Sequence, residues 1–393
     1  MRVVIDARVA GGLGGGVETL VKGLAKGFSE IQELDFELIF LVEAGKSNLF
    51  SEFEGQNHVK LVETKTQNQS LNLKRRLRGF LRLLSYHANI PLPDILTLTR
   101  DRAIEELRPS VVHYPYQATF FTQFPTVYHP HDLQHKYFPK NFSALTRLFR
   151  DANYSIMCQK SAAIVVSSNW VKQDLARFYG VNPTKVFIVP LSANYKNTSI
   201  GWARRDKDLN CTDSQPTFLL YPAVNWPHKN HSNLLRAIQL LIHDGLDIRL
   251  VCTGRVLDRF KSPQVIAEEL GIGKNIFVLG HVGQELLDEI YDRASAVVVP
   301  TKFEAASFPI YEAQARGKAV ACSNATSLPE QVKNSALIFD PENITEIAEV
   351  IRDIWTDEEL RIQLEVKSLK NVAENTWVDI CKSFASIYRE SSS

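Results

Sequence analysis

Two glutamates eight residues apart, Glu304 and Glu312, lie in the run "FEAASFPIYEAQARGKAVACS". Between them Ser307 is placed to cap a helix and Pro309 to occupy its first turn, and Gly317 stands where that helix would end. The spacing puts Glu304 in the loop ahead of the helix and Glu312 roughly two turns later, on an inward face. A helix N-terminus flanked by carboxylates can hold a diphosphate on its dipole and sugar hydroxyls on the carboxylates. Two ordinary surface glutamates on one helix face would show the same spacing.

A second chemical stretch is "GGLGGG", residues 11–16, between the apolar run "RVVID" and the helix-like "VETLVKGLAKGF". A dinucleotide fingerprint reads G-x-G-x-x-G with an acid about 20 residues on. These glycines fit that spacing poorly, and Asp35 falls in a loop-like position. Gly14, Gly15 and Gly16 instead allow backbone N–H groups to approach a phosphate at the start of a helix. A tight turn with no ligand remains the alternative.

The run "HPHDLQHKYFP" gathers His129, His131 and His135 around Asp132. Its H-x-H-D-x-x-H spacing differs from a metallohydrolase set, and no second carboxylate cluster completes a shell. Core packing or capping suits His129 and His135. The "DKD" at 206–208 sits in a charged stretch with no flanking strand and reads as solvated charge. Neither a G-x-S-x-G elbow nor a G-x-x-x-x-G-K-[ST] phosphate loop occurs.

The elements that must position these residues alternate along the chain. Thirteen short apolar runs, from "RVVID" to "ALIF", alternate with helix-like stretches. Continuous Val/Ile/Leu runs suit strands covered on both faces, hence parallel sheets with crossover helices. A length of 393 residues favours two domains. The polar interval from about Asn194 to Pro216 reads as the linker between two doubly wound halves. In such sheets ligands bind outside the carboxyl ends of the strands. The glycine loop, the histidine run, "VNWPHKNH" and the two-glutamate run all follow strand candidates, which implies one cleft between the halves.

The formal net charge of +1 argues against a general nucleic-acid binder. Five scattered cysteines without a C-x-x-C pair suit reduced thiols rather than a disulfide framework. No apolar run approaches the roughly 20 residues of a membrane span, and the chain enters a strand too early for a leader peptide. A cytoplasmic protein is therefore expected, peripheral at most. Residues 70–88, "SLNLKRRLRGFLRLLSYHA", qualify that expectation. Leu73, Leu77, Phe80, Leu81 and Leu84 form a stripe at helical spacing. Lys74, Arg75, Arg76, Arg78 and Arg82 surround it, and no acid occurs between Glu63 and Asp94. Such a helix can lie on an anionic bilayer or pack on its own domain.

The E-x7-E element, together with the glycine loop, "YHPHDLQHKYFP", "YPAVNWPHKNHSNLLRAI" and the late "NTWVDICKSFASIY" run, closely resembles the retaining glycosyltransferases of family GT4. The likeness covers almost the whole chain. It implies the GT-B fold, two Rossmann-like domains facing across a cleft. Residues 1–195 would bind the acceptor and residues 214–375 the nucleotide sugar, with a terminal helix at 376–393 crossing back to the first domain. Carried over, Glu304 contacts the donor sugar, Glu312 the ribose hydroxyls, and Lys229 the diphosphate. Ser307, Phe308, Pro309 and Ile310 form the donor-binding helix start, and His131 lies near the transferring sugar. The resemblance further implies a GDP-, UDP- or dTDP-linked donor, a saccharide or lipid-linked acceptor, and transfer without metal or other cofactor. The "PAVNWPHKNH" variant resembles the mannosyltransferase branch that builds bacterial surface polysaccharides. Ala223 and Val224 stand where many relatives carry an arginine, and "EAASFP" replaces the commoner E-G-F-G-L-P, so the donor's identity stays open. A sugar-nucleotide epimerase on the same fold and a non-catalytic nucleotide-sugar-binding subunit are the rival readings.

Overall fold

Each of the thirteen apolar runs forms a strand in a computed structural model of the chain. The structure describes residues 1–8, 15–53, 55–56, 58–64, 70–88, 90, 92–93, 100–117, 122–193, 218–373 and 375–392, with side chains of residues 70–76 excepted. Gly14 and the 194–216 linker therefore lie outside the described residues. The chain divides into two compact units, Met1–Leu191 with Thr376–Ser393, and Ser192–Asn375. The first unit thus ends at Leu191 rather than at 195.

In the first unit the strands are β1 Arg2–Asp6, β2 Glu37–Val42, β3 Val59–Glu63, β4 Val111–Tyr114, β5 Thr126–Tyr128, β6 Ala163–Val166 and β7 Val186–Ile188. They form one sheet in the order β3-β2-β1-β4-β5-β6-β7, with every pairing parallel. In the second unit β8 Leu219–Pro222, β9 Leu250–Thr253, β10 Ile276–Gly280, β11 Ala296–Val299, β12 Ala319–Ser323 and β13 Leu337–Phe339 run in the order β10-β9-β8-β11-β12-β13, again all parallel. The central strands β1, β4, β8 and β11 are buried almost along their whole length. Helices on both faces account for the uninterrupted apolar runs, because neither face of these strands meets water.

The terminal helix Trp377–Ser392 belongs to the first unit. Trp377, Ile380, Cys381, Phe384, Ala385, Ile387 and Tyr388 recur at helical spacing and form its buried face. That face packs on the helix Gly15–Glu30, where Gly23 and Gly27 leave room for it. Tyr388 OH lies 2.8 Å from Nδ1 of the fully buried His113, whose pKa burial depresses to about 3. The neutral ring is therefore free to accept a hydrogen bond from the phenol. Arg389 reaches Asp35 at 2.7 Å on the rim.

Cys158, Cys252, Cys322 and Cys381 are buried free thiols. Burial pushes the thiols of Cys158, Cys252 and Cys322 up to about 12. They are packing groups rather than nucleophiles.

A β-carbon at Gly27 would collide with the Trp377 carbonyl and come within 2.6 Å of Cys381 Sγ. Backbone cannot yield as a flexible side chain does. Gly27→Ala should destabilise the first unit by about 1–3 kcal/mol. Denaturant unfolding followed by tryptophan fluorescence measures it, with Gly283→Ser, at a helix N-cap of ordinary φ (−68°) where a β-carbon meets nothing within 4 Å, as a second-unit control.

Candidate functional site

The strand order of the second sheet reverses between β8 and β11. At such a point adjacent strands send their connections apart and leave a crevice beyond their carboxyl ends. β8 leads into the turn at Pro227–Lys229 and β11 into the loop at 300–307. Lys229 and Glu304, 75 residues apart in sequence, thereby meet, with Nζ 2.6 Å from Oε2.

The two backbones that carry this pair are fixed by polar side chains. His228 O accepts from Thr301 Oγ1 at 3.1 Å and from the Lys302 N–H at 2.7 Å. Tyr221 OH donates to Lys229 O at 2.7 Å. Asn230 holds a left-handed φ of 62° and donates Nδ2 to the carbonyls of Pro300 and Pro341 at 3.0 and 2.8 Å. Asparagine is among the few residues that take that conformation cheaply. On the other side, the Glu304 N–H donates to Thr326 Oγ1 at 3.0 Å, and Glu304 O accepts from Ser327 Oγ at 2.7 Å. Thr326 sits at a φ of 53°, a costly setting for a β-branched residue.

Glu312 lies on the helix Phe308–Ala315, only partly exposed. Burial raises its carboxyl above the usual carboxylate range, against the opposing pull of Tyr291 and Arg316. Oε2 accepts from Tyr291 OH at 2.7 Å. Arg316 covers the Tyr291 ring at 4.7 Å and donates to Glu312 O at 2.9 Å.

Ser307 occupies the position before the first turn of that helix but does not cap it, contrary to expectation. Gln331 holds its backbone from both sides, accepting from the Ser307 N–H at 2.9 Å and donating to Ser307 O at 2.8 Å. Pro309 at the second helical position also removes one of the N–H groups a cap would satisfy. Among the described residues the buried Ser307 Oγ has no hydrogen-bond partner. A helix N-terminus without a side-chain cap, beside an unpaired hydroxyl, suits an anion.

In the first unit His131 follows β5 at a left-handed φ of 65°. Its Nε2 lies 2.7 Å from Pro115 O and so donates, which leaves Nδ1 as an acceptor. Burial lowers its pKa, while the Pro115 carbonyl and Asp132 act in the opposite direction. The ring stacks on His129 at 4.4 Å, and His129 is buried and held neutral. His135 is buried as well, with Nε2 2.9 Å from Asp151 Oδ1 and 3.1 Å from Tyr179 OH. No group of three or more His, Cys, Asp or Glu among the described residues is arranged to hold a metal ion. Gly15 and Gly16 open the first helix and are exposed.

The structure therefore brings Lys229, Glu304, Ser307, Phe308, Pro309, Ile310 and Glu312 to the carboxyl end of one sheet. His131, Gly15 and Gly16 stand at strand exits of the other. Sequence reasoning missed Tyr291, Arg316, Thr326 and Asn230. Asn230 stood in the quoted "PHKN" and carried a signal, since Asn tolerates left-handed turns. Tyr291 and Thr326 lie 21 and 22 residues from the glutamates they hold, and no spacing rule links them.

Two family models match the chain, "Glycosyltransferase Family 4" over residues 14–194 and "Glycosyl transferases group 1" over residues 205–370. The O-antigen chain mannosyltransferase B of Escherichia coli is 31% identical over 41% of this chain and 42% of its own length. The D-inositol 3-phosphate glycosyltransferase of Corynebacterium urealyticum is 29% identical over 40% of this chain and 39% of its own. The chain thus spans less than half the length of these two curated relatives. Among solved structures, the sucrose-phosphate synthase of Thermosynechococcus elongatus superposes with a TM-score of 0.72 at 16% identity, covering 99% of this chain and 98% of that one. Anabaena Alr3699/HepE, solved in complex with UDP and glucose, gives 0.67 at 14% identity, covering 98% of each.

Proposed function

Because the chain belongs to the GT4 type of glycosyltransferase and has the GT-B fold, we propose that it is a retaining hexosyltransferase. It moves a sugar from a nucleoside-diphosphate donor to a saccharide or lipid-linked acceptor in surface polysaccharide or glycolipid synthesis. The observation that carries this reading is the meeting of Lys229 with Glu304 beside the uncapped helix start at Ser307 and the anchored Glu312. A donor binds there by exchanging partners: its diphosphate takes Lys229 and the helix N-terminus, and its sugar hydroxyls take Glu304. Glu312 accepts from the ribose. The charge on the leaving diphosphate is met by Lys229 and backbone amides fixed before the reaction, so transfer needs no divalent cation. His131 is held neutral and offers Nδ1 as an acceptor, which makes it a hydrogen-bond partner rather than an essential base. The roles of Gly14, Gly15, Gly16 and His131 rest on the family resemblance. The similarity to named mannosyltransferases favours a mannosyl donor, linked to GDP, UDP or dTDP.

The acceptor domain is further proposed to contact an anionic membrane surface through residues 71–88, peripherally at the inner face. No described helix is long and apolar enough to cross a membrane. On the helix Ser70–His87, however, Leu77, Phe80 and Leu84 are 59%, 51% and 46% exposed, so these three residues of the apolar stripe face outward rather than into the domain. Gly79 and Leu83 form the buried side, and on the neighbouring helix Ala144–Lys160 Leu145 and Leu148 are exposed too. Basic residues around such a stripe add roughly 1 kcal/mol each near anionic lipid.

Incubation with candidate nucleotide sugars, with and without acceptor, tests the reaction class. Acceptor-dependent transfer that persists after EDTA is expected; interconversion of the sugar without acceptor, or metal-reversible loss, contradicts the reading. Calorimetry with free nucleoside diphosphate tests the glutamates. Glu312→Ala should lose roughly 2–4 kcal/mol of nucleotide affinity, whereas Glu304→Ala should spare that affinity and lower kcat. Vesicle co-sedimentation tests the membrane face: binding should require anionic lipid, weaken with salt, and fall when Arg75, Arg76 and Arg78 become Glu.

A further inference from the structure

Glu312 has two carboxylate oxygens in unequal settings. Oε2 is taken by Tyr291 OH, whereas Oε1 accepts no hydrogen bond from any described residue, and the side chain is partly exposed. One oxygen is anchored and the other is offered.

The anchor is itself built. Tyr291 is fully buried on the helix Gln284–Arg293, and its hydroxyl also lies 3.4 Å from Pro309 O at the start of the glutamate's own helix. The Arg316 guanidinium lies over the ring and is 2% exposed. It pairs with Asp288 and, at 3.8 Å, with Asp292, both also on the 284–293 helix. A buried guanidinium with two carboxylates fixes the ring's position, and the ring fixes the hydroxyl.

We propose that Tyr291 is a positioning residue for nucleotide binding: its hydroxyl holds Glu312 so that Oε1 is presented to a vicinal diol. This rests on the reading that Glu312 binds the ribose. The groups acting on the carboxyl are Tyr291 and Arg316, which favour its charged form, and Asp288, which opposes it. From the helix Glu358–Ala373, packed on the same element, Asn371 reaches Gln314 and no charge acts on Glu312. Burial lifts the carboxyl, and burial together with the neighbouring carboxylates lifts the Tyr291 phenol far above neutrality, so the phenol remains a donor throughout the working range. Losing that donor raises the Glu312 pKa further. Nucleotide affinity, which needs the ionised acceptor, then begins to fall at a higher pH as the solution is acidified.

The test measures nucleoside diphosphate affinity against pH for the full chain and for Tyr291→Phe, which keeps the ring and its cation–π contact. The expected result is about tenfold weaker binding at pH 7 and an acid limb moved up by about one pH unit, with kcat at saturating donor little changed. In a Glu312→Gln background the tyrosine substitution should have no further effect. 3-Fluorotyrosine at position 291, a stronger donor of nearly equal volume, should move the acid limb down and guards against loss of folding in the phenylalanine variant. An unmoved acid limb in both variants, or an equal loss in the Glu312→Gln background, overturns the positioning role. If Glu312→Gln itself leaves nucleotide affinity intact, the ribose reading fails along with it.

Discussion

A parallel sheet covered by helices on both faces has one place left for chemistry, the carboxyl ends of its strands. That constraint governs this protein. Every strand pairing in both sheets is parallel, and the central strands are almost wholly buried. The connections leaving β8 and β11 must diverge because the strand order reverses there, and the opening between them is where Lys229 and Glu304 meet. The chain stabilises this opening with side chains that satisfy backbone carbonyls, Asn230 and Thr301 on one side and Ser327 on the other. Loop backbone so fixed can present charge without reorganising around a ligand.

The Lys229–Glu304 pair shows how that charge is kept in the absence of a ligand. Its side chains are 19% and 14% exposed, a setting in which either charge alone would be poorly solvated. An isolated pair of this kind contributes little net stability, but removing one partner strands the other. A ligand carrying both an anionic and a hydroxylated part relieves both groups together. A phosphate alone would leave Glu304 without its cation. The pair therefore favours ligands that present both functions. His228 and His231 flank Lys229, and burial, with the lysine's charge added, lowers each to about 3. They stay neutral near pH 7, so the positive charge at this turn is that of Lys229.

The Glu312 cluster follows the opposite design. Its carboxyl lies where burial disfavours charge; a tyrosine and an arginine offset that burial, while the nearby Asp288 adds to it. Such networks are worth keeping only when every member is satisfied. Here Glu312 Oε1, which accepts no hydrogen bond from any described residue, belongs to the residue proposed to meet the ligand. The unpaired hydroxyl of Ser307 is a similar case: Gln331 holds its backbone, and the cap that would have closed the helix start is absent.

Much of this was legible in the sequence. Thirteen apolar runs became thirteen strands because strands buried on both faces need unbroken apolar residues, a signal that is local and strong. The placing of Glu304 and Glu312 around a helix start at a strand exit was legible from a compact motif, whereas Lys229 was singled out only through the family resemblance. Ser307 was misread as a cap, since a local rule could not see Gln331 24 residues away taking its backbone. Tyr291, Thr326 and the outward turn of Leu77, Phe80 and Leu84 were equally invisible: periodicity shows that a helix has an apolar stripe but not which neighbour, if any, covers it. The sequence by itself determined the sheets, their strand exits and the residue types placed there, because backbone hydrogen bonding and burial act over a few residues. Which side chains share a proton, anchor a carboxylate or face solvent was decided only by tertiary structure, because those contacts join segments that no spacing along the chain connects.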